Sequence, residues 1–140
     1  MSAIIEDFNA LKTEQFDPSA NGAGAERLQA LGDELSGLAD REQAIGSIFA
    51  LFERLPEADF GTPGPLVHLL EDMGGYEEGL ARSLSHRPTS HTAWMASRLL
   101  NGELPEKRRG FWLEQLWQAA AWPGLDETTK EAIEEALSTR

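Results

Sequence analysis

Residues 76 to 102 read YEEGLARSLSHRPTSHTAWMASRLLNG, two helix-like segments joined by a short break. Apolar residues recur at four-residue steps in the first segment, at Tyr76, Leu80 and Leu84. This spacing places them on one face of a helix. The break contains Pro88, and Thr89 after it is a favourable N-cap for the second segment. The stretch therefore predicts two short consecutive helices.

The same helical spacing continues on both sides of this stretch, and strand-like alternation never exceeds four residues. Proline, glycine and capping residues divide the chain into about eight helices. The predicted bounds are 2–14, 25–38, 40–55, 65–73, 76–86, 89–101 and 105–122, with a last helix capped by Asp126. Asp40 is the predicted cap of the third helix, and Gly74 and Gly75 are predicted to end the fourth. We predict an all-α fold, a single helical domain over residues 1–140.

Short connectors between these helices favour antiparallel hairpins. The third helix could pair with the fourth, the fifth with the sixth and the seventh with the eighth. Each pair would span about 30 to 35 residues, the size of an α-solenoid repeat. The sequence contains no true internal repeat. Two architectures therefore stay open, a HEAT-like α-solenoid and an irregular helical bundle.

The chain is strongly acidic, with 24 Asp and Glu against 12 Lys and Arg and a formal net charge of -12. Such a charge repels nucleic acids and anionic membranes, which bind through lysine and arginine. It attracts cationic partners and speeds their association. Residues 1–60 carry a net charge of -8, residues 61–110 are neutral and residues 111–140 carry -4. The alternative is that the acids serve only solubility.

Several classes of function find no support in the sequence. The chain has no cysteine, which excludes disulfides, a cysteine nucleophile and cysteine-ligated zinc. No Gly-x-Ser-x-Gly or phosphate-binding loop is present. The N-terminus does not resemble a signal peptide, and no apolar run approaches the roughly 20 residues that span a bilayer. We expect a cytoplasmic protein without enzymatic activity, cofactor, metal or membrane partner.

The best chemical candidates lie on the predicted fourth helix. His68 precedes Glu71 by three residues and Asp72 by four, so all three share one face. This arrangement resembles half of a metal or acid–base site and would need ligands from a second helix. The simpler interpretation is a half-buried histidine that is hydrogen-bonded to a neighbour.

Two polar clusters have a structural and a functional interpretation. The Ser, His and Thr side chains at residues 89–92 could bind an anion at a helix start, but they are also ordinary capping residues. The basic run at residues 107–109 faintly resembles a nucleic-acid patch. With neighbouring glutamates it is more typical of a solvated helix start. We favour the structural interpretation for both.

Acidic pairs and one tryptophan are the candidate contacts for a protein partner. Four of the acids flank the Gly74-Gly75 turn, where they would cluster at a hairpin tip. Trp112 and Trp117 cannot both lie on one narrow apolar stripe, so one of them is expected at the surface. The candidate partner-binding residues are Glu57, Asp59, Glu71, Asp72, Glu77, Glu78 and Trp112. As an alternative, acids near turns are common on soluble proteins.

Four segments in the central third of the chain resemble a known protein family. They are FGTPGPLVH at 60–68, RPT at 87–89, HTAWM at 91–95 and RLLNG at 98–102. Over about residues 60–102 the chain resembles small all-helical bacterial immunity proteins of contact-dependent inhibition and other polymorphic toxin systems.

The resemblance implies a small acidic cytosolic protein that binds and neutralises a cognate toxin domain, commonly a basic nuclease, without a cofactor. It transfers no interface residue and says nothing of the oligomeric state. The alternative function is a helical-repeat interaction scaffold without a toxin partner. Genomic context separates the two, because a toxin gene would lie beside an immunity gene.

Overall fold

The structure is a computed structural model that describes residues 2–16, 21–56 and 64–138. Across these ranges the chain forms α-helices and short 3₁₀ turns without a strand, so the predicted all-α class is confirmed. None of the described helices is long and apolar enough to cross a bilayer. The eight α-helices are α1 (Ser2–Asn9), α2 (Ala23–Ser36), α3 (Ile45–Arg54), α4 (Gly64–Met73), α5 (Glu77–His86), α6 (Ser90–Asn101), α7 (Glu106–Ala120) and α8 (Glu127–Ser138).

The backbone divides into two compact units, here called unit 1 (Met1–Gly79) and unit 2 (Leu80–Arg140). The division falls inside α5, whose first turn belongs to unit 1. Each unit has its own buried apolar residues. The single domain over residues 1–140 stays a prediction.

In unit 1, α1 packs against α2 and α3, and α2 packs against α4. Burying these side chains supplies the main stabilisation, about 1.5–3 kcal/mol for each large one. At the centre are fully buried aliphatic and aromatic side chains: Phe8, Leu11, Leu28, Leu31, Leu35, Ile48, Leu51, Phe52, Leu66 and Leu70. The predicted pairing of the third helix with the fourth is not the main contact of either, which favours the irregular bundle over a regular solenoid.

Arg54 caps the C-terminal end of α1. Its Nη1 donates to the carbonyl of Leu11 at 2.6 Å, and its Nη2 donates to the carbonyl of Phe8 at 3.0 Å. Helix ends leave carbonyls unpaired, and arginine satisfies two of them here. The prediction that the first helix reaches Glu14 is wrong, since α1 ends at Asn9 and a 3₁₀ turn follows at Thr13–Phe16.

The third predicted helix also begins differently. A 3₁₀ turn occupies Arg41–Ala44, and the α-helix itself starts at Ile45. Asp40 precedes this turn, but its side chain makes no capping hydrogen bond. Asp40 therefore does not have the capping role that the sequence predicted.

Unit 2 is built on three mutually packed helices, α6, α7 and α8. The predicted contact of the seventh helix with the eighth is present, but α8 packs most extensively against α6. The buried apolar side chains are Leu80, Leu84, Ala93, Met95, Ala96, Leu100, Trp112, Leu116, Ala119, Ile133 and Ala136.

Both predicted caps in unit 2 are confirmed. At the start of α6, Thr89 and Thr92 form a capping box, in which each side chain accepts from the other residue's backbone N–H. At the start of α8, Asp126 accepts from the backbone N–H of Thr129 at 3.0 Å and from its hydroxyl at 2.7 Å. Thr89 and Thr92 therefore have the capping role, which is the structural interpretation of this cluster.

Candidate functional site

The α7 helix and the turn that follows it carry the large aromatic side chains that are exposed among the described residues. Trp117 is 63% exposed, and Phe111 and Trp122 are 46% and 38% exposed. Trp112 is only 2% exposed. One of the two tryptophans is thus at the surface, as predicted, and it is Trp117. Trp112 is buried in the core and offers a partner no surface, so the prediction that it contacts a partner is wrong.

Helical geometry explains which tryptophan is buried. Trp112, Leu116 and Ala119 recur at steps of four and three residues and form the stripe that faces the core. Trp117 follows Leu116 directly, so it lies about 100° around the helix from Leu116 and farther still from Trp112 and Ala119. The sequence favours Trp112 as the buried tryptophan, because Leu116 and Ala119 stand at helical spacing from Trp112 and not from Trp117.

A groove lies between α7 and α8 in unit 2, with a volume of about 380 Å³. Ile133 is buried at its base, while Leu125 and Leu137 are half-buried beside it. We call it the α7–α8 groove, and its lining is Trp117, Ala120, Leu125, Lys130, Ile133, Glu134, Leu137 and Ser138. It is an open, mainly apolar surface with a large exposed aromatic side chain in its wall.

The α8 side of this groove has a charged rim. Glu127, Lys130, Glu131 and Glu134 are all exposed. Their spacing of three and four residues places them along one side of the helix, next to the lining residues. With three glutamates and one lysine, this rim is net negative.

The acidic pairs near the predicted hairpin tip lie where expected along the chain. Gly74 and Gly75 both have positive φ, 71° and 67°, and separate the end of α4 from the start of α5. Asp72 and Glu78 are exposed, whereas Glu71 and Glu77 are half-buried. Glu57 and Asp59 lie outside the described residues.

The helix macrodipole distinguishes the two acidic pairs. Glu77 and Glu78 stand in the first turn of α5, where negative charge stabilises a helix. Glu71 and Asp72 stand in the last turn of α4, where negative charge costs about 0.3–1 kcal/mol. Stabilisation of a helix therefore explains why acidic residues stand at positions 77 and 78, but it does not explain Glu71 and Asp72.

The distribution of charge between the two units is the most marked electrostatic feature. Unit 1 contains sixteen Asp and Glu against four Lys and Arg, a net charge of -12. Unit 2 contains eight of each and is formally neutral. The whole net charge of the chain therefore belongs to residues 1–79.

His68 borders a polar hollow of about 490 Å³ between α2 and α4. Asp33 and Gln29 of α2 line it together with Asp72, and Gln29 donates to Asp33 at 3.0 Å. The structure thus supplies the second helix that a site would need. Within the described ranges, however, no group of three histidine or acidic side chains could hold a metal ion.

The basic run at residues 107–109 has a structural role at Arg109. Its Nη1 donates to the carbonyl of Leu100 at 3.0 Å and its Nη2 to the carbonyl of Gly102 at 3.3 Å. Arg109 thereby closes the C-terminal end of α6, as Arg54 does for α1. Because its guanidinium is bound to these carbonyls, Arg109 is not a freely solvated charge of a nucleic-acid patch.

Comparison of the chain with protein-family models, with curated proteins and with solved structures gives no match.

Proposed function

We propose that this chain is an immunity protein, which binds and neutralises a cognate toxin domain of basic charge in the cytoplasm. The observation that carries the proposal is the net charge of -12 on residues 1–79. A field of this size speeds the capture of a cationic protein and opposes association with nucleic acid. The resemblance of residues 60–102 to immunity proteins points to the same class of partner.

Rapid capture suits this role, because a toxin must be bound before it reaches its substrate. Complementary charge acts mainly on the association rate, while buried anchors set the lifetime of the complex. A basic nuclease is a suitable target, since its own substrate is a polyanion and its binding surface is cationic. The acidic surface of unit 1 would compete for that cationic surface.

Affinity purification of the tagged protein from its native bacterium is the first test. Mass spectrometry should identify the C-terminal domain of a large secreted protein. That domain, expressed alone in a laboratory strain, should arrest growth, and co-expression of this chain should restore growth. Recovery of housekeeping proteins only, or a recovered domain that is harmless, would contradict the proposal and favour the scaffold function.

The charge argument has its own test in the purified complex. Neutralising Glu71, Asp72, Glu77 and Glu78 of unit 1 to their amides should slow association about tenfold at low salt. A control variant neutralises four acids of unit 2, Glu103, Glu106, Glu114 and Glu135, and should change the rate by less than about threefold. Equal effects of the two variants would show that only total charge matters.

A further inference from the structure

Most of the Trp117 side chain does not pack against the rest of unit 2. It is 63% exposed, although the neighbouring Trp112 and Leu116 are almost completely buried in the core of unit 2. Single exposed apolar residues are common on soluble proteins. Trp117, however, forms the wall of a groove whose base and other walls include Ile133, Leu125 and Leu137. An exposed tryptophan beside an apolar concavity is typical of a binding anchor.

We propose that the α7–α8 groove binds a short amphipathic helix of the partner, one with apolar residues on one face and lysine or arginine on its flanks. The basic character of this helix rests on the proposed function, in which the partner is a cationic protein. The apolar face would contact Trp117, Ile133 and Leu137. The basic flank would lie along the glutamates of the α8 rim.

The walls of the groove favour a helix over an extended segment. Both walls are α-helices, whose backbone groups are already hydrogen-bonded within α7 and α8. An extended peptide would find no backbone partners there, whereas a helix satisfies its own hydrogen bonds. The lining residues of α8 run from Lys130 to Ser138, about 12 Å along the helix axis. That length matches about two turns of a bound helix.

Charge decides between the possible occupants. The rim carries Glu127, Glu131 and Glu134 against Lys130, so it complements a basic flank. In a symmetric dimer formed through this groove, the net negative rim of one copy would face that of the other, and the two rims would repel each other. A small molecule fits poorly, because small-ligand sites enclose most of the ligand, while Trp117, Ala120, Lys130 and Glu134 are exposed.

The test uses the full chain and a labelled helical peptide of about four turns, with leucines on one face and lysines elsewhere. Fluorescence anisotropy should show saturable binding. Trp117→Ala should weaken it by at least about tenfold, because the variant removes the main apolar anchor. The control is Phe111→Ala, which removes another exposed aromatic from a different side of α7 and should change affinity by less than about twofold. Circular dichroism should show the same helicity for all three proteins.

The charged rim is tested in the same assay. Glu127→Lys combined with Glu134→Lys should weaken binding by at least about fivefold, while Glu103→Lys with Glu106→Lys, an equal change of charge away from the groove, should have a smaller effect. A matched peptide with glutamate in place of lysine should not bind.

Three outcomes would overturn the groove proposal: no binding of the basic peptide, undiminished binding by Trp117→Ala, or concentration-dependent dimerisation that Trp117→Ala abolishes. Because this assay needs no toxin, its failure leaves the growth-rescue result unchanged. Failure of growth rescue with successful peptide binding would instead leave a helix-binding groove with a different partner.

Discussion

Units 1 and 2 are both small helical bodies with buried cores, yet their surfaces differ in kind. Unit 1 carries the whole net charge of -12, and unit 2 is formally neutral. Unit 2, in turn, holds the three large apolar side chains that are exposed among the described residues, Phe111, Trp117 and Trp122. One unit therefore offers long-range attraction, and the other offers apolar contact area.

The difference shows that the composition of a whole chain can conceal a division of roles. Electrostatic attraction acts over about 8 Å at physiological salt and mainly changes association rates. Apolar contact acts at short range and mainly changes dissociation rates. If the proposed function holds, changes in unit 1 should alter how fast a partner arrives, and changes at Trp117 should alter how long it stays.

The largest expected effect separates the two tryptophans of α7. Trp112→Ala should lower the free energy of unfolding by about 3–5 kcal/mol, because it empties a fully buried site. Trp117→Ala should change it by less than about 0.5 kcal/mol, since most of that side chain is in solvent. Urea denaturation followed by circular dichroism measures both. Similar losses for the two variants would mean that Trp117 supports the fold and is not reserved for a partner.

The next prediction tests a feature that the units share. Arg54 in unit 1 and Arg109 in unit 2 each donate to two carbonyls at the end of a neighbouring helix. Arg54→Ala and Arg109→Ala should each cost about 1.5–3 kcal/mol, since each removes charged hydrogen bonds. Lysine at either site should restore only part of the loss, because it lacks the planar fork of arginine. Full rescue by lysine would show that charge alone matters.

The smallest effect compares two aspartates that the sequence presents as equal helix caps. Asp126 accepts two hydrogen bonds from Thr129, whereas Asp40 makes no capping hydrogen bond. Asp126→Ala should therefore cost about 1 kcal/mol. Asp40→Ala should cost less than about 0.3 kcal/mol. Thermal unfolding of the two variants beside the parent protein measures this difference, and a larger loss at Asp40 would contradict the described start of α3.

The candidate site was only partly predictable. Ile133 and Leu137 are apolar residues at helical spacing, so their position on the inner side of α8 follows from the sequence. The sequence identifies Trp117 as one of two candidates for exposure, but it does not by itself decide which of the two tryptophans faces the core. The groove itself does not follow from the sequence, because its walls come from two helices whose mutual rotation is set by packing.

The sequence by itself determined the all-α class, the stop at Gly74 and Gly75, and the caps at Thr89 and Asp126. Each of these features depends on interactions between residues that are at most about four positions apart, so the sequence alone is enough to predict it. The tertiary structure decided the burial of Trp112 and the exposure of Trp117. It also decided the bonds from Arg54 to carbonyls more than forty residues earlier. These features arise only when helices distant in sequence pack together, because burial depends on which face meets a neighbour.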